Sequence, residues 1–314
     1  MPPEQPMTDL EKDFYNLDAS RFQEQLVKLA EVLAQKVKRE APKMLAAPGF
    51  VSVDLHVLVR QAMYTYNTLF YLNADVRRET DPHWKTAYSV ASLPLIRNMI
   101  DCLYNITTIL EAPGINGPWF RKSGYRKALA AFDEEEARYG GRREWDEWIS
   151  KGREGLDFQI RGVNLSMADV LSAPPWPTLG RYISNKGPCG TSTPHQNFLK
   201  TFVYGRWREY SAMAHGGFEG LMRAGMFYIT DSMPHEDRPK IEDAHLRVLS
   251  SNIARAALML LSIITELQAY FRFDDDGARI NERIHTMWQE LLPVFEVKEL
   301  YDERYCQLMR EKNI

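Results

Sequence analysis

Apolar residues in this chain recur at steps of three and four and nowhere keep up a step of two, which commits it to packed helices rather than sheets. Between Ala19 and Leu45 the positions Phe22, Leu26, Leu29, Val32, Leu33 and Val37 hold the helical period, with Lys and Glu on the other face. Pro48-Gly49 breaks it. A second helix follows, capped by Ser52 or Asp54 and running to about Arg78. It is apolar nearly all round, through Leu55, Leu58, Met63, Leu69 and their neighbours, as a central helix is. Tyr64, Tyr66, Phe70 and Tyr71 fall at core spacing on it. Thr80-Asp81-Pro82 turns the chain into a third helix, from about His83 to Leu110. Pro94 bends that helix, because proline drops a ladder bond and crowds the preceding turn. Pro113-Gly114 and Gly117-Pro118 are read as its end.

Residues 119–155 are a charged helical insertion, a pair broken at Gly140-Gly141, with Trp145 and Trp148 docking one side. Residues 156–196 carry APPWP and NKGPCGTSTP and read as an irregular Pro/Gly-rich loop, of the kind that serves as a lid or a partner contact. Helix resumes near Gln196 and reaches Ala214, where Gly216-Gly217 interrupts, and the pattern continues over Phe218–Ile229. A long helix covers Ile241 to Phe271, and two more cover about 279–291 and 294–311. With no internal repeat, the expectation is a disordered tail over 1–8 and one all-α multi-helix bundle over 9–314.

The net charge of −3 argues against a cationic coat for bulk nucleic-acid binding and leaves room for a local basic cleft. Cys102, Cys189 and Cys306 lack the spacing of a metal knuckle or a redox pair, so they are expected as buried or free thiols. The start MPPEQPMTDLEKDF lacks the basic-then-apolar form of a signal peptide, and no uninterrupted apolar run is of spanning length. A cytoplasmic protein with no membrane partner is expected. No Walker or dinucleotide-binding glycine spacing is present.

Two Glu-x-x-His spacings, Glu242…His245 and Glu282…His285, match half of a carboxylate-bridged di-iron bundle. If the helix after residue 277 packs back antiparallel, the two histidines stand ~35 Å apart along the axis, at about 1.5 Å per residue. Irons that share ligands cannot do so across that gap. No metal and no cofactor is expected.

The stretch RWREYSAMAHGG, 206–217, is different. On a helix, Arg208 and His215 lie two turns apart on one face, with Ser211 between them. A guanidinium, a hydroxyl and an imidazole thus share one stripe, beside Tyr204, Trp207 and Phe218. A histidine at a helix C-terminus has its pKa raised by the carbonyl end of the dipole. Such a base and a fixed cation are what metal-free cleavage of an RNA backbone needs.

The arginine, six residues and histidine, in an all-helical setting, resemble the motif of the HEPN superfamily (higher eukaryotes and prokaryotes nucleotide-binding domain). The resemblance implies a HEPN-like core and a metal-independent ribonuclease of a toxin-like or phage-defence system. It also implies a composite site across a homodimer. The run Tyr210-Ser211…His215-Gly216 is similar to an uncharacterised bacterial all-helical family in which an earlier helix carries Arg and an acid four residues on. Arg97 and Asp101, in LIRNMIDCLYN, match that feature. The two stretches make up under a tenth of the chain. The residue after the arginine is often Asn, Asp or His in the superfamily. Here it is Glu209, an acid able to pair with Arg208 and repel RNA.

The expected roles are therefore Arg208 on the scissile phosphate, His215 as base or acid, and Tyr210 or Ser211 as orienting group, supported by Arg97, Asp101 and Glu209. RNA, a second copy and a protein partner are the expected partners. Two other readings stand beside this one: a non-catalytic helical binding or scaffold protein, in which the Arg–carboxylate pairs only tie helices together, and a metal-dependent helical enzyme.

Overall fold

The amphipathic period of the first described helix shows how the fold is built. Helix α1, Gln23–Arg39, buries Leu26, Leu29, Ala30, Leu33, Ala34 and Val37 and leaves its charges outside. The computed structural model describes residues 23–78, 82–185, 191–214, 236, 238–273 and 277–312, and among these every regular element is helical. The expected tail over 1–8, the Phe218–Ile229 helix, Cys189, His215 and the Gly216-Gly217 break lie outside the described residues.

A short α2, Ala41–Met44, leads to α3, Phe50–Arg78. Neither Ser52 nor Asp54 caps α3, which begins two residues earlier. Ser52 donates back to the Gly49 carbonyl at 2.7 Å, and Asp54 is held by Arg121. Helix α4, Pro82–Glu111, contains Pro94 and packs on α3 and on α11, Arg238–Phe271; α1 lies across α3 and α11. One core runs between these four helices, from Leu26 and Tyr66 to Ile100, Leu261 and Trp288. Tyr64 and Tyr71 are not part of it: both are exposed on α3, contrary to their core-like spacing. The stretch Ser251–Phe271 of α11 is long and apolar enough to cross a membrane, and 89% of it is buried within the protein as a core helix.

Pro113 opens a helix instead of ending one, since its missing N–H is one that a first turn leaves unbonded anyway. Helix α5, Pro113–Tyr139, and α6, Arg143–Gly162, form a charged hairpin turned at Gly141, whose φ of 83 suits glycine. Tyr125, Leu129, Leu156, Ile160 and Val170 make a second, smaller core there. At Gly152 an added Cβ would lie 2.5 Å from the Phe132 ring, so this residue lets α5 and α6 close up. The 156–196 segment is more ordered than its Pro/Gly content suggests. It holds the end of α6, then α7, Met167–Ser172, α8, Leu179–Ser184, and the start of α9, Pro194–Phe198.

Helix α9 passes through a π turn, Leu199–Val203, into α10, Tyr204–Ala214. Helix α12, Ile280–Leu291, runs back along α11: Gln268 donates to Asn281 at 2.9 Å and the Trp288 indole to Thr265 at 3.0 Å. That register sets His285 level with the C-terminal part of α11, while His245 sits near its start. The two Glu-x-x-His spacings are thus roughly 30 Å apart at 1.5 Å per residue. Glu282 is already paired with Arg279, and the described residues hold no group of ligands fit for a metal ion. Helix α13, Phe295–Leu300, continues through a second π turn, Tyr301–Tyr305, into α14, Cys306–Lys312.

Trp288 is fully buried, bonded to Thr265 and stacked on Tyr305 at 4.7 Å. Trp288→Ala is expected to cost about 3–5 kcal/mol. Urea unfolding measures the loss, and one below 1 kcal/mol would contradict the packing described.

Candidate functional site

The capping box at Thr193 and Gln196 starts α9, each side chain bonding the other's backbone N–H, at 3.1 and 2.9 Å. From that fixed start the π turn and α10 bring residues 204–214 between α4 and α11. Arg97 and Asp101, one turn apart on α4, form an ion pair. The Arg97 Nε donates to Ser211 Oγ at 2.5 Å, and its guanidinium lies 4.4 Å over the Trp207 ring. The Trp207 indole donates to Asp101 at 3.2 Å, and Tyr204 stacks on Trp207 at 5.9 Å. Two stretches separated by 114 residues therefore meet in one partly buried polar cluster.

Arg208 is exposed on the outer side of α10, one turn before Ser211. Glu209 does not pair with it; Glu209 pairs with Arg206 at 3.0 Å, so the acid leaves Arg208 unquenched. Tyr210 lies on the opposite face and is only 2% exposed. Its hydroxyl donates to Asn252 at 3.3 Å and accepts from Arg255 at 3.2 Å, and Asn252 donates to Ser92 at 3.0 Å. Burial pushes the Tyr210 phenol above its ordinary pKa. A neutral phenol bonded into the core in this way ties α4, α10 and α11 together. His215 lies outside the described residues. Cys102, next to Asp101, is a buried thiol pushed up to about 12 by burial, and is inert at neutral pH.

A second polar cluster went unread in the sequence. His195, on α9, is 2% exposed. Its Nε2 lies 3.3 Å from Thr108 Oγ1 and its Nδ1 3.9 Å from Glu111 Oε1, both partners on α4. Beside it Arg304 grips Glu266 through two nitrogens, at 2.5 and 3.0 Å, and covers the Phe198 ring at 4.0 Å. The signal was present in the sequence: Thr193-Pro194-His195-Gln196 has the form of a capping box, which places a helix start where proline and glycine content suggested a loop.

On α4 the residues of both clusters share one stripe. Arg97, Asp101, Tyr104, Thr108 and Glu111 follow at steps of four and three. One end of the stripe thus carries the Arg97 guanidinium, and the other lies against the buried imidazole of His195. No protein-family model, curated protein or solved structure matches the chain.

Burial, with Arg304 nearby, pushes the His195 imidazole down to about 3. The folded protein keeps it neutral, whereas the unfolded chain protonates it below about 6.5. Its contribution to stability is full above pH 6.5 and is lost as the pH falls from there toward 3. One proton corresponds to about 1.4 kcal/mol per pH unit. Glu111, raised by burial, acts in the opposite sense and gains stability as the pH falls through its folded pKa. Urea unfolding between pH 7 and 5 is expected to show the histidine slope, and His195→Gln to flatten it. An unchanged slope in the variant would assign the proton to another group.

Proposed function

We propose that the chain is a metal-independent endoribonuclease with a HEPN-like core, acting where α4 meets α10. The observation that supports this most is the Arg97–Ser211 contact, which joins the two short stretches that carry the family resemblance. Arg208, exposed and not paired with Glu209, takes the scissile phosphate. Arg97 keeps further N–H donors beyond those given to Ser211 and Asp101, and adds positive charge behind the same phosphate. Ser211 accepts from Arg97, which leaves its own O–H to point at a phosphate oxygen. His215, four residues later in the sequence, removes the 2′ proton or delivers one to the leaving oxygen. The 2′ oxygen bonds to phosphorus, the bond to the 5′ oxygen breaks, and that oxygen takes the proton.

The homodimer that goes with this reading has an apolar face available on α3. Val53, Val57, Tyr64 and Tyr71 are 52%, 54%, 51% and 61% exposed, and they follow at steps of four, seven and seven. Val57→Glu with Tyr64→Glu is expected to turn a dimer into a monomer by sedimentation.

A second reading, a non-catalytic helical scaffold, is favoured by Tyr210. This residue belonged to the same motif and serves the core.

RNA incubated with the protein in EDTA separates the two. Wild type is expected to cut, and Arg208→Ala and His215→Ala to slow cutting by about 10²–10⁴-fold. Tyr210→Phe is expected to cut at close to the wild-type rate and to lose about 1 kcal/mol of stability. Intact RNA with wild type at every pH from 5 to 9, or cutting by both variants at the wild-type rate, leaves the scaffold.

A further inference from the structure

Residues 173–178, Ala-Pro-Pro-Trp-Pro-Thr, connect α7 to α8 and lie across α4 and α5. Each proline fixes its own φ and drives the residue before it out of the helical region. The two ends of the segment have polyproline-II angles: Ala173 at φ −64, ψ 133 and Thr178 at φ −66, ψ 158. A polyproline-II helix has three residues per turn, so 173 and 176 share a face. Ala173 and Leu179 are buried and Trp176 half-buried, while Pro174 and Pro175 are exposed.

Among the described residues, no backbone–backbone hydrogen bond involves residues 174–177. The segment is held by side chains instead. Arg126 donates to the Ala173 carbonyl at 2.5 Å, the Trp119 indole to Pro174 at 2.8 Å and the Tyr104 hydroxyl to Pro177 at 2.9 Å. Ser123 accepts from the Trp176 backbone N–H at 2.6 Å, and Asn105 from its indole at 2.9 Å. The rings of Trp119 and Phe120 meet the Trp176 ring edge-on, at 4.9 and 5.2 Å. Aromatic walls with indole and phenol donors aimed at the carbonyls of a preformed, unbonded backbone are how proline-rich ligands are recognised. An open cavity of about 410 Å³ borders Trp176, lined also by Asp54, Phe120, Arg121, Tyr125 and Lys127.

We propose that this groove is a receptor for a tryptophan-anchored, proline-rich segment of another protein, and that residues 173–178 are its built-in competitor. The tether gives the chain's own segment a high effective concentration, so a free peptide exchanges with it only when in excess.

The test uses a labelled, end-blocked peptide Ala-Pro-Pro-Trp-Pro-Thr and the full chain, read by fluorescence polarisation. Trp176→Ala vacates the anchor pocket and is expected to bind the peptide at least tenfold more tightly than wild type. A peptide with alanine for tryptophan is expected to lose that binding, and adding Asn105→Ala to the protein to weaken it several-fold. On wild type, excess peptide is expected to speed proteolytic cleavage within 163–178 at least threefold, which keeps the test open if the variant does not fold. The proposal is overturned if wild-type cleavage is unchanged and the variant takes up no peptide. Equal binding of the tryptophan-free peptide overturns it too, as does a Trp176→Ala chain that dimerises by exchanging segments without binding peptide.

Discussion

The polar stripe of α4 is the constraint on which the rest of the arrangement depends. A helix in the middle of a bundle normally presents apolar residues to every neighbour, and α4 does so through Ile96, Ile100, Leu103 and Ile106. Along one line, however, it carries Arg97, Asp101, Tyr104, Thr108 and Glu111. Those of them that packing buries, Tyr104 and Thr108 above all, need a partner, because an unpaired polar group in a packed interior costs its full desolvation. Arg97 and Asp101 pair with each other, and further partners come from the stretch running from α7 through α10. Ser211 and Trp207 answer Arg97 and Asp101, the Pro177 carbonyl answers Tyr104, and His195 answers Thr108. Residues 173–211 are laid along α4 by this matching together with the burial of Leu179, Phe198, Leu199 and Val203, although several of their elements are too short to be stable helices alone.

The long helices were legible because each has enough turns for its period to show against chance. The short ones were not. Helices α7 and α8 have six residues each, fewer than two turns, and the prolines between them look like breakers while they build a polyproline-II segment. Tyr64 and Tyr71 misled for the opposite reason. Their spacing fits the core of α3, yet apolar residues at steps of four and seven also describe a second, outward seam of a long helix, and sequence alone does not say which seam has a partner.

At the site, helix geometry told part of the truth. Arg208 and Ser211 do lie on neighbouring positions of one side, and Arg97 with Asp101 does come to that side from a distant stretch. The same geometry already argued against Tyr210. At about 100° per residue it stands roughly 200° from Arg208, on the face toward α11. Nearness in sequence within a helix puts two side chains on different faces as readily as on one. The pairing of Glu209 was a question of distance between long side chains. Arg206, three residues before it, is reached as easily as Arg208 one residue before, and faces the same way.

The two π turns decide which face of α10 meets which neighbour. A π turn takes one residue more than the α-helical turn it replaces, and so rotates everything after it by about 100°. Without the extra residue in Leu199–Val203, α10 could not show Trp207 and Ser211 to α4 while burying Tyr210 toward α11. The second π turn, Tyr301–Tyr305, brings up the support. It buries Tyr305 against Trp288 and Phe198 and sets Arg304 over Phe198, the last residue before the first π turn. Arg304 is in turn fixed by Glu266 of α11. Each irregularity is thus held by the other, and through Glu266 both are referred to the central helix pair. The start of the α9–α10 stretch is braced by the Arg304–Glu266 pair, while its later residues are matched to α4.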